Sequence, residues 1–370
     1  MKTDATRTLL VTQADLRSIV EAVGLDALMD QLIHALSDAL RGFDGSVTEV
    51  RKREGFMLDH PRQPGVLEWM PVMHRGHTVT VKMVGYSPLN PQEHTLPTII
   101  ATNSLYDVRT GHLLAIMDGV FATALRTGAA SAVATRCLAA PGSTVLGLVG
   151  TGAQAVTQLH AISRLFPLKQ VLAYDTHPEA LQSFAGRVGF LGLDVRPVSL
   201  AQLEAQSDII CTATSVAVGA GPVISGHELK PHVHINAVGS DLPGKTELPR
   251  AFLERSLVVP DYLEQARVEG ECQQLSPNKI GPDLVTLMKN PERYEAWRQR
   301  STVFDSTGYA LEDQVVTELL LEHAEQLGLG TPVALETIGG DALDPYSLLR
   351  GPTSSPAQAQ PLELRRAARA

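Results

Sequence analysis

The stretch Val145-Leu-Gly-Leu-Val-Gly150-Thr-Gly152-Ala-Gln-Ala155 sets two glycines and an alanine at GxGxxA spacing, after an apolar run and before an amphipathic one. Gly150 permits a tight turn out of a strand. Gly152 lets the backbone approach a pyrophosphate, and Ala155 lets a helix pack closely on that strand. The start of that helix would offer unpaired N–H groups to the phosphates. Glycines also end strands for structural reasons, so the spacing alone is weak. A second apolar run, Val171–Tyr174, leads into Asp175, 25 positions after Gly150. A carboxylate there suits the ribose hydroxyls of a dinucleotide and repels a 2′-phosphate, which favours NAD over NADP. The competing reading is a helix cap, since Pro178 follows closely.

Further along, Ala213-Thr214-Ser215 and Asn236-Ala237-Val238-Gly239 end two more strand candidates. In an open parallel sheet, such carboxyl ends line the cofactor crevice. Arg126 stands between the apolar turn Phe121–Leu125 and a helix of small residues, where a guanidinium suits a bidentate hold on a carboxylate. Asp241, just past Asn236–Ser240, is a candidate acid/base group, with a turn cap as the alternative. Glu68 and Lys82 lie inside apolar strands, and for either alone a solvent-facing charge is the simpler reading. Arg53 lies in the charged run Arg51-Lys52-Arg53-Glu54, a solvated loop on composition alone. His232 and His234 alternate as a metal pair would, but without a neighbouring Cys or carboxylate a structural role is preferred, and no metal is expected. The chain has no HExxH, GxSxG or P-loop sequence.

The elements that must position these residues fall into two patterns. Thr12 is a plausible N-cap for a periodic apolar stretch running to Arg41, which predicts one or two amphipathic helices. Runs at 66–70, 78–84 and 98–102 read as strands, and Arg109-Thr110-Gly111-His112 reads as a hairpin turn. The first region is therefore α+β, with a sheet of sequence-adjacent strands. The small-residue helix at 127–139 follows, then Pro141-Gly142. From Ser143 strands alternate with helices: 145–149, 171–174, 208–212, 232–238, 257–259 and 303–305. That alternation predicts an α/β, Rossmann-type doubly wound sheet. A strong helix at 310–327 is expected to return to the first region, and the tail from Gly351 reads as disordered. The boundaries are thus 1–135 completed by 310–350 for the α+β part, and 136–309 for the dinucleotide part.

The 370 residues include 31 basic and 40 acidic side chains, a net charge of −9, with 44% hydrophobic residues. This is globular composition, and the negative balance argues against nucleic acid as a partner. Three widely spaced cysteines suit a reducing compartment. No run of some 18 apolar residues exists, and the polar start of the chain lacks a following apolar segment, so a cytoplasmic protein without a membrane span is expected.

These motifs together resemble the ornithine cyclodeaminase/mu-crystallin family. The resemblance is carried by Lys82-Met-Val, Leu96-Pro-Thr98, Ala124-Leu-Arg-Thr-Gly-Ala129, Gly150-Thr-Gly-Ala-Gln154, Asn236-Ala-Val-Gly-Ser-Asp241, Pro243-Gly-Lys-Thr-Glu-Leu248, Ala266-Arg-Val-Glu-Gly-Glu271 and Val303-Phe-Asp-Ser-Thr-Gly308, in collinear order. Within the family, Gly85-Tyr-Ser-Pro-Leu-Asn90, Ser183–Leu193 and Asp344-Pro-Tyr-Ser-Leu348 look most like the members that turn L-lysine into L-pipecolate and ammonia for natural-product assembly. The resemblance implies a homodimer built through the first region's sheet, with tightly held NAD in the second. It implies that Arg53, Lys82 and Arg126 hold an amino-acid carboxylate, with Arg51 the alternative to Arg53. Glu68 matches a substrate-site carboxylate, and Asp241 the catalytic acid/base. Besides Gly150 and Gly152, the positions Thr98, Arg126, Ala153, Gln154, Asp175, Thr214, Asn236, Ala237, Val238, Gly239, Lys245 and Ser306 match cofactor contacts. Alternatives are ornithine cyclisation to proline, a ketimine reductase or amino-acid dehydrogenase, and a non-catalytic binding protein.

Overall fold

The computed structural model describes residues 7–338 and 341–350, so the tail expected from Gly351 lies outside the described residues. The chain starts with strand β1 (Thr8–Val11). Thr12 then caps helix α1 (Gln13–Val23) in a capping box with Asp15, and Gly24 breaks the periodic stretch before α2 (Leu25–Arg41). Strands β2 (Thr48–Val50), β3 (Glu54–Leu58), β4 (Gly65–His74) and β5 (Thr78–Tyr86) follow, then the short α3 (Asn90–Glu93), β6 (Ile99–Asp107) and β7 (Leu113–Asp118). The predicted turn at 109–112 joins β6 to β7.

Asp118 accepts hydrogen bonds from Val120 and Phe121 and so starts α4 (Gly119–Leu138) eight residues earlier than the small-residue pattern predicts. Arg126 is therefore inside a helix, not between a turn and a helix. The small residues of α4 have a direct use. A Cβ at Gly128 would fall 2.5 Å from the Thr157 carbonyl oxygen of the neighbouring helix α5 (Ala153–Ser163). The second sheet begins at β8 (Val145–Val149) and continues with β9 (Gln170–Tyr174), α6 (Pro178–Arg187), β10 (Val195–Pro197), α7 (Leu200–Gln206), β11 (Ile209–Thr212) and β12 (His234–Ala237). It is completed by α8 (Arg250–Leu253), β13 (Leu257–Pro260), α9 (Leu263–Ala266), α10 (Leu284–Lys289) and β14 (Thr302–Asp305). Helix α11 (Ala310–Leu327), β15 (Thr331–Val333) and a 3-10 turn at Pro345–Arg350 follow.

The second sheet is parallel throughout, in the order β10-β9-β8-β11-β12-β14-β13. The strand order reverses between β8 and β11, which opens a crevice at their carboxyl ends. The first sheet runs β15-β1-β7-β6-β5-β4-β2, with β3 on β4. Its centre, β4 to β7, is the expected antiparallel meander. The sequence reading missed its far side, where β1 joins β7 in parallel and β15 joins β1 from the far end of the chain. Helix α11 returns to this sheet and packs with α1, α2 and α4, as expected. No helix among the described residues is long and apolar enough to cross a membrane.

Candidate active site

At the end of β8, Gly150 has φ +88°, and a Cβ there would lie 2.6 Å from the Ala213 carbonyl oxygen, so only glycine turns the chain here. The next residue ties two turns together. Thr151 donates from its N–H (2.7 Å) and hydroxyl (2.8 Å) to Asp175, whose other oxygen accepts from the His177 N–H at 2.8 Å. Asp175 thus shares in the turn before α6, as its capping reading has it, although His177 is the N-cap residue itself. Burial opposes its ionisation, yet the N–H groups of His177 and Thr151 outweigh that and hold the carboxyl below its ordinary value. The His177 ring also approaches, with Nδ1 3.4 Å from Oδ1, but that imidazole is exposed and free to yield the position to a ribose hydroxyl. Gly152 caps α5 with no side-chain partner, and no heavy atom lies within 4 Å of where its Cβ would be. The crevice side of this turn is open, and these residues fit a dinucleotide pyrophosphate.

The opposite wall is organised by a residue the sequence reading missed, Glu247. Fully buried, it accepts from the Thr212 and Thr214 hydroxyls (both 2.7 Å) and from the N–H groups of Thr214 and Gly239 (both 2.8 Å). One carboxylate therefore fixes the loops after β11 and β12. A Cβ at Gly239 would sit 2.4 Å from Glu247 Oε1. The Asn236 side chain turns into the core and donates to Thr135 Oγ1 at 2.9 Å, so its contribution to the crevice is main-chain only. Ala237, Val238 and Ser306 continue that edge, with the Ser306 N–H on the Ala237 carbonyl at 2.9 Å. Ala153 and Gln154 open α5, and Thr98 precedes β6 with its carbonyl on the Ser87 N–H at 2.8 Å.

Beside this crevice the structure gathers three cations. Lys82, inward-facing on β5 and 1% exposed, pairs with Asp313 at 2.8 Å. Arg126 holds Glu312 at 2.6 Å and Asp313 at 3.1 Å. Arg53 holds Glu68 at 3.2 Å and Glu269 at 2.9 Å and donates to the Thr307 carbonyl. The two guanidiniums meet at Gly308, where a Cβ would be 3.1 Å from Arg126 Nη2 and 3.4 Å from Arg53 Nη2. The two neighbouring arginines differ in exposure: the Arg51 side chain is 74% exposed and bonded to Glu49, that of Arg53 only 9% exposed. The solvent-facing readings of Lys82 and Glu68 therefore fail, while the run 51–54 is a solvated segment from which Arg53 alone turns inward. Arg53 hydrogen-bonds through one N–H on each terminal nitrogen, while Nε meets Glu269 as an ion pair only, so the second N–H of each terminal nitrogen is left, the number one carboxylate takes. Burial and the adjacent Arg126 lower Lys82 to about 8, while Asp313 opposes them.

Asp241 stands at the mouth of this cluster, held by Lys245 at 2.9 Å. The Lys245 ammonium also bonds the Tyr86 hydroxyl at 3.2 Å and lies 4.8 Å from that ring's centre. Its contacts among the described residues are thus to the acid/base candidate, not to the glycine turn. A cavity of about 160 Å³ opens alongside, lined by Tyr86, Val218, Leu242 and Lys245. The sequence reading also missed Glu269, Glu312 and Asp313. Burial pushes Glu269 to about 7 although Arg53 opposes it, and Glu312 to about 8 although Arg126 opposes it. His234 is buried between Thr302 and Asn236, and no group of three metal-ligating side chains occurs among the described residues.

A dinucleotide crevice beside a buried cationic clamp defines a frame for chemistry at the α-carbon of a small carboxylate. Residues 14–327 match the ornithine cyclodeaminase/mu-crystallin family, and the chain belongs to it. It is 45% identical to an L-lysine cyclodeaminase of Streptomyces rapamycinicus, over 92% of this chain and all of that one. A solved lysine cyclodeaminase, described for recognition of L-lysine, L-ornithine and L-2,4-diaminobutyric acid, superposes with TM-score 0.90 at 49% identity, over 92% of this chain and 99% of that one. An archaeal alanine dehydrogenase dimer with bound NAD superposes with TM-score 0.78 at 29% identity, over 89% of this chain and all of that one.

Proposed function

We propose that this chain is a cyclodeaminase that converts L-lysine to L-pipecolate and ammonia with NAD as a recycled cofactor. The observation that carries the reading is the convergence of Arg53, Lys82 and Arg126 beside Asp241 and the glycine turn. Gly150, Gly152, Ala153 and Asp175 would hold the pyrophosphate and ribose, and the strand ends 237–239 with Ser306 the nicotinamide side. When bound, NAD accepts the α-hydrogen of the substrate with its electron pair and later gives it back, so the reaction is redox-neutral overall.

The residues of the chain do the rest. Arg53, Lys82 and Arg126 grip the α-carboxylate and fix the direction of Cα, the orientation effect on which such reactions depend. Asp241, paired with Lys245 at 2.9 Å, takes a proton from the side-chain ammonium and frees that amine to attack Cα. The same carboxylate hands the proton to the departing α-nitrogen, which leaves as ammonia. Glu68, 12% exposed, supplies a second negative group for a substrate with two ammoniums. The bond formed is side-chain nitrogen to Cα, and the bond broken is Cα to the α-nitrogen.

We assign substrate binding to the region of the first sheet and NAD to the region of the second. A homodimer through the outer face of the first sheet accounts for its exposed Leu67, Met83 and Ile100. The three cysteines are free and buried, in keeping with a cytoplasmic enzyme. The test is mass spectrometry of product from α-deuterated L-lysine with NAD. Pipecolate that retains the deuterium, with no net NADH, is expected. Net NADH would indicate a dehydrogenase, and washout of the label a proton-abstraction route. Parallel reactions with L-ornithine measure the chain-length preference.

A further inference from the structure

The NAD reading leaves one charged side chain at the glycine turn without a role, Arg187, the last residue of α6. Although the residue is exposed, its head group is tied to the protein. Its guanidinium folds back along α6 and lies 5.3 Å from the centre of the Phe184 ring. From there Nη2 donates to the Thr151 carbonyl at 2.6 Å and the Ala180 carbonyl at 2.8 Å, and Nη1 to the Gly152 carbonyl at 3.5 Å. Arg187 thus grips two successive carbonyls of the turn.

The consequence follows from peptide geometry. In a planar trans peptide the C=O and the next N–H point in opposite directions. Holding the Thr151 carbonyl outward aims the Gly152 N–H away from Arg187, and holding the Gly152 carbonyl does the same for the Ala153 N–H. Neither N–H has an acceptor among the described residues. Gly152 has no side chain to resist rotation of these peptides, and nothing crowds its Cβ position. A flipped peptide would present an oxygen to the pyrophosphate. On the other side, Asp175 already holds the Thr151 N–H.

We propose that Arg187 is a positioning residue for the dinucleotide: it pins the carbonyls of Thr151 and Gly152 so that the N–H groups of residues 152 and 153 stay turned toward the pyrophosphate. The proposal rests on the assignment of NAD to this crevice. It touches no atom of the cofactor and acts only through the backbone of the turn.

The test is calorimetric titration of the full-length protein and its Arg187→Gln and Arg187→Lys variants with NAD, ADP and adenosine. ADP carries the pyrophosphate and adenosine does not. In Arg187→Gln, NAD and ADP should weaken by about tenfold or more while adenosine stays within about twofold. Arg187→Lys, which reaches one carbonyl but not both, should fall between. ADP binding within about twofold of wild type in the Gln variant overturns the proposal, as does equal weakening of ADP and adenosine, which would mark a general prop for α6. If Arg187→Gln does not fold, the same ratio in Arg187→Lys decides. A wild-type protein that binds neither NAD nor ADP overturns the cofactor assignment itself, a result distinct from wild-type binding with unaltered variants.

Discussion

Arg126→Lys separates charge from geometry in the clamp. The wild-type guanidinium points three nitrogens in three directions: Nη1 to Glu312 at 2.6 Å, Nε to Asp313 at 3.1 Å, and Nη2 toward Gly308 and the second arginine. A lysine ammonium is a single nitrogen on a flexible stem and can serve one of these. Glu312 and Asp313 are 0% and 1% exposed, so the ammonium will stay with them and leave the substrate side. The substrate then loses at least one hydrogen bond to a charged group, about 1.5–3 kcal/mol. At ~1.36 kcal/mol per decade this is roughly a 10- to 150-fold fall in kcat/KM. The fold should suffer less. The buried carboxylates keep a cation, and Asp313 keeps Lys82, so a loss of about 1–2 kcal/mol is expected, against about 3–5 for Arg126→Met, which removes every partner the guanidinium gives Glu312 and Asp313 and leaves Glu312 to be held neutral. At roughly 2–4 °C per kcal/mol, the two variants separate clearly by calorimetry. Product formation from L-lysine at saturating NAD supplies the kinetics. A folded Arg126→Lys enzyme with wild-type kcat/KM would refute the clamp. A fall in activity matched by a Tm loss as large as that of Arg126→Met would make Arg126 a structural residue.

Asp241→Asn keeps the shape but removes the anion, and should lower turnover by about 10²–10³; it also strips Lys245 of its counter-ion, so Tm should drop, and undiminished turnover would move the proton transfer to Glu68. Wild-type protein should turn over with NAD at least about tenfold more efficiently than with NADP, and Asp175→Asn should narrow that ratio while weakening both, because the same carboxylate holds Thr151; equal efficiency in the wild type sinks the ribose assignment. Gly128→Ala drives a methyl to 2.5 Å from the Thr157 carbonyl, so a loss of about 1–3 kcal/mol or more in unfolding free energy is expected, and a neutral result would show that the α4–α5 contact yields freely. Burial raises Glu312 to about 8 and Glu269 and Asp305 to about 7, so the folded chain binds more protons than the unfolded one, and stability should fall as pH rises from 6.5 to 8. His234, lowered to about 4 by burial, works in the opposite sense but only below its ordinary 6.5, and Lys82, lowered to about 8, opposes the three acids only toward the alkaline end of the window. Tm measured at both ends of the window should be lower at pH 8, with the difference reduced in Glu312→Gln; a flat or rising Tm counts against the buried acids.

How much of this was legible depends on where each signal resides. The glycine turn was readable because its physics is local: a strand, a positive φ at Gly150 and a helix start lie within eleven residues. Its second wall was not, because Glu247 earns its place only after four donors from two separate segments, 212–214 and Gly239, converge on it. The partners of the clamp were hidden in a different way. Glu312 and Asp313 sit in the first turn of α11, where acidic residues are expected simply to favour the helix dipole.

The misreading of Lys82 is the most informative, because the alternation along β5 is inverted. Thr78, Thr80 and Lys82 face inward and are buried, whereas Val79, Val81 and Met83 point to the other face. A rule that puts apolar residues inside therefore sends Lys82 to solvent. The neighbouring strand repeats the pattern, with Asn103 buried and donating to Thr317 at 2.8 Å while Ile100 is 42% exposed. A polar inner face costs stability unless α11 supplies partners, and it does, through Asp313 and Thr317. The half-exposed apolar outer face has no such partner within the described residues, which is the physical case for a second copy of the chain against it. The same inversion thus turns Lys82 to one side of the sheet and the surface proposed for the dimer to the other, so a charge introduced at Met83 should dissociate the proposed dimer without touching Lys82. Analytical ultracentrifugation of Met83→Glu checks this: a monomer that still binds L-lysine is expected, and an unaltered dimer would place the interface elsewhere.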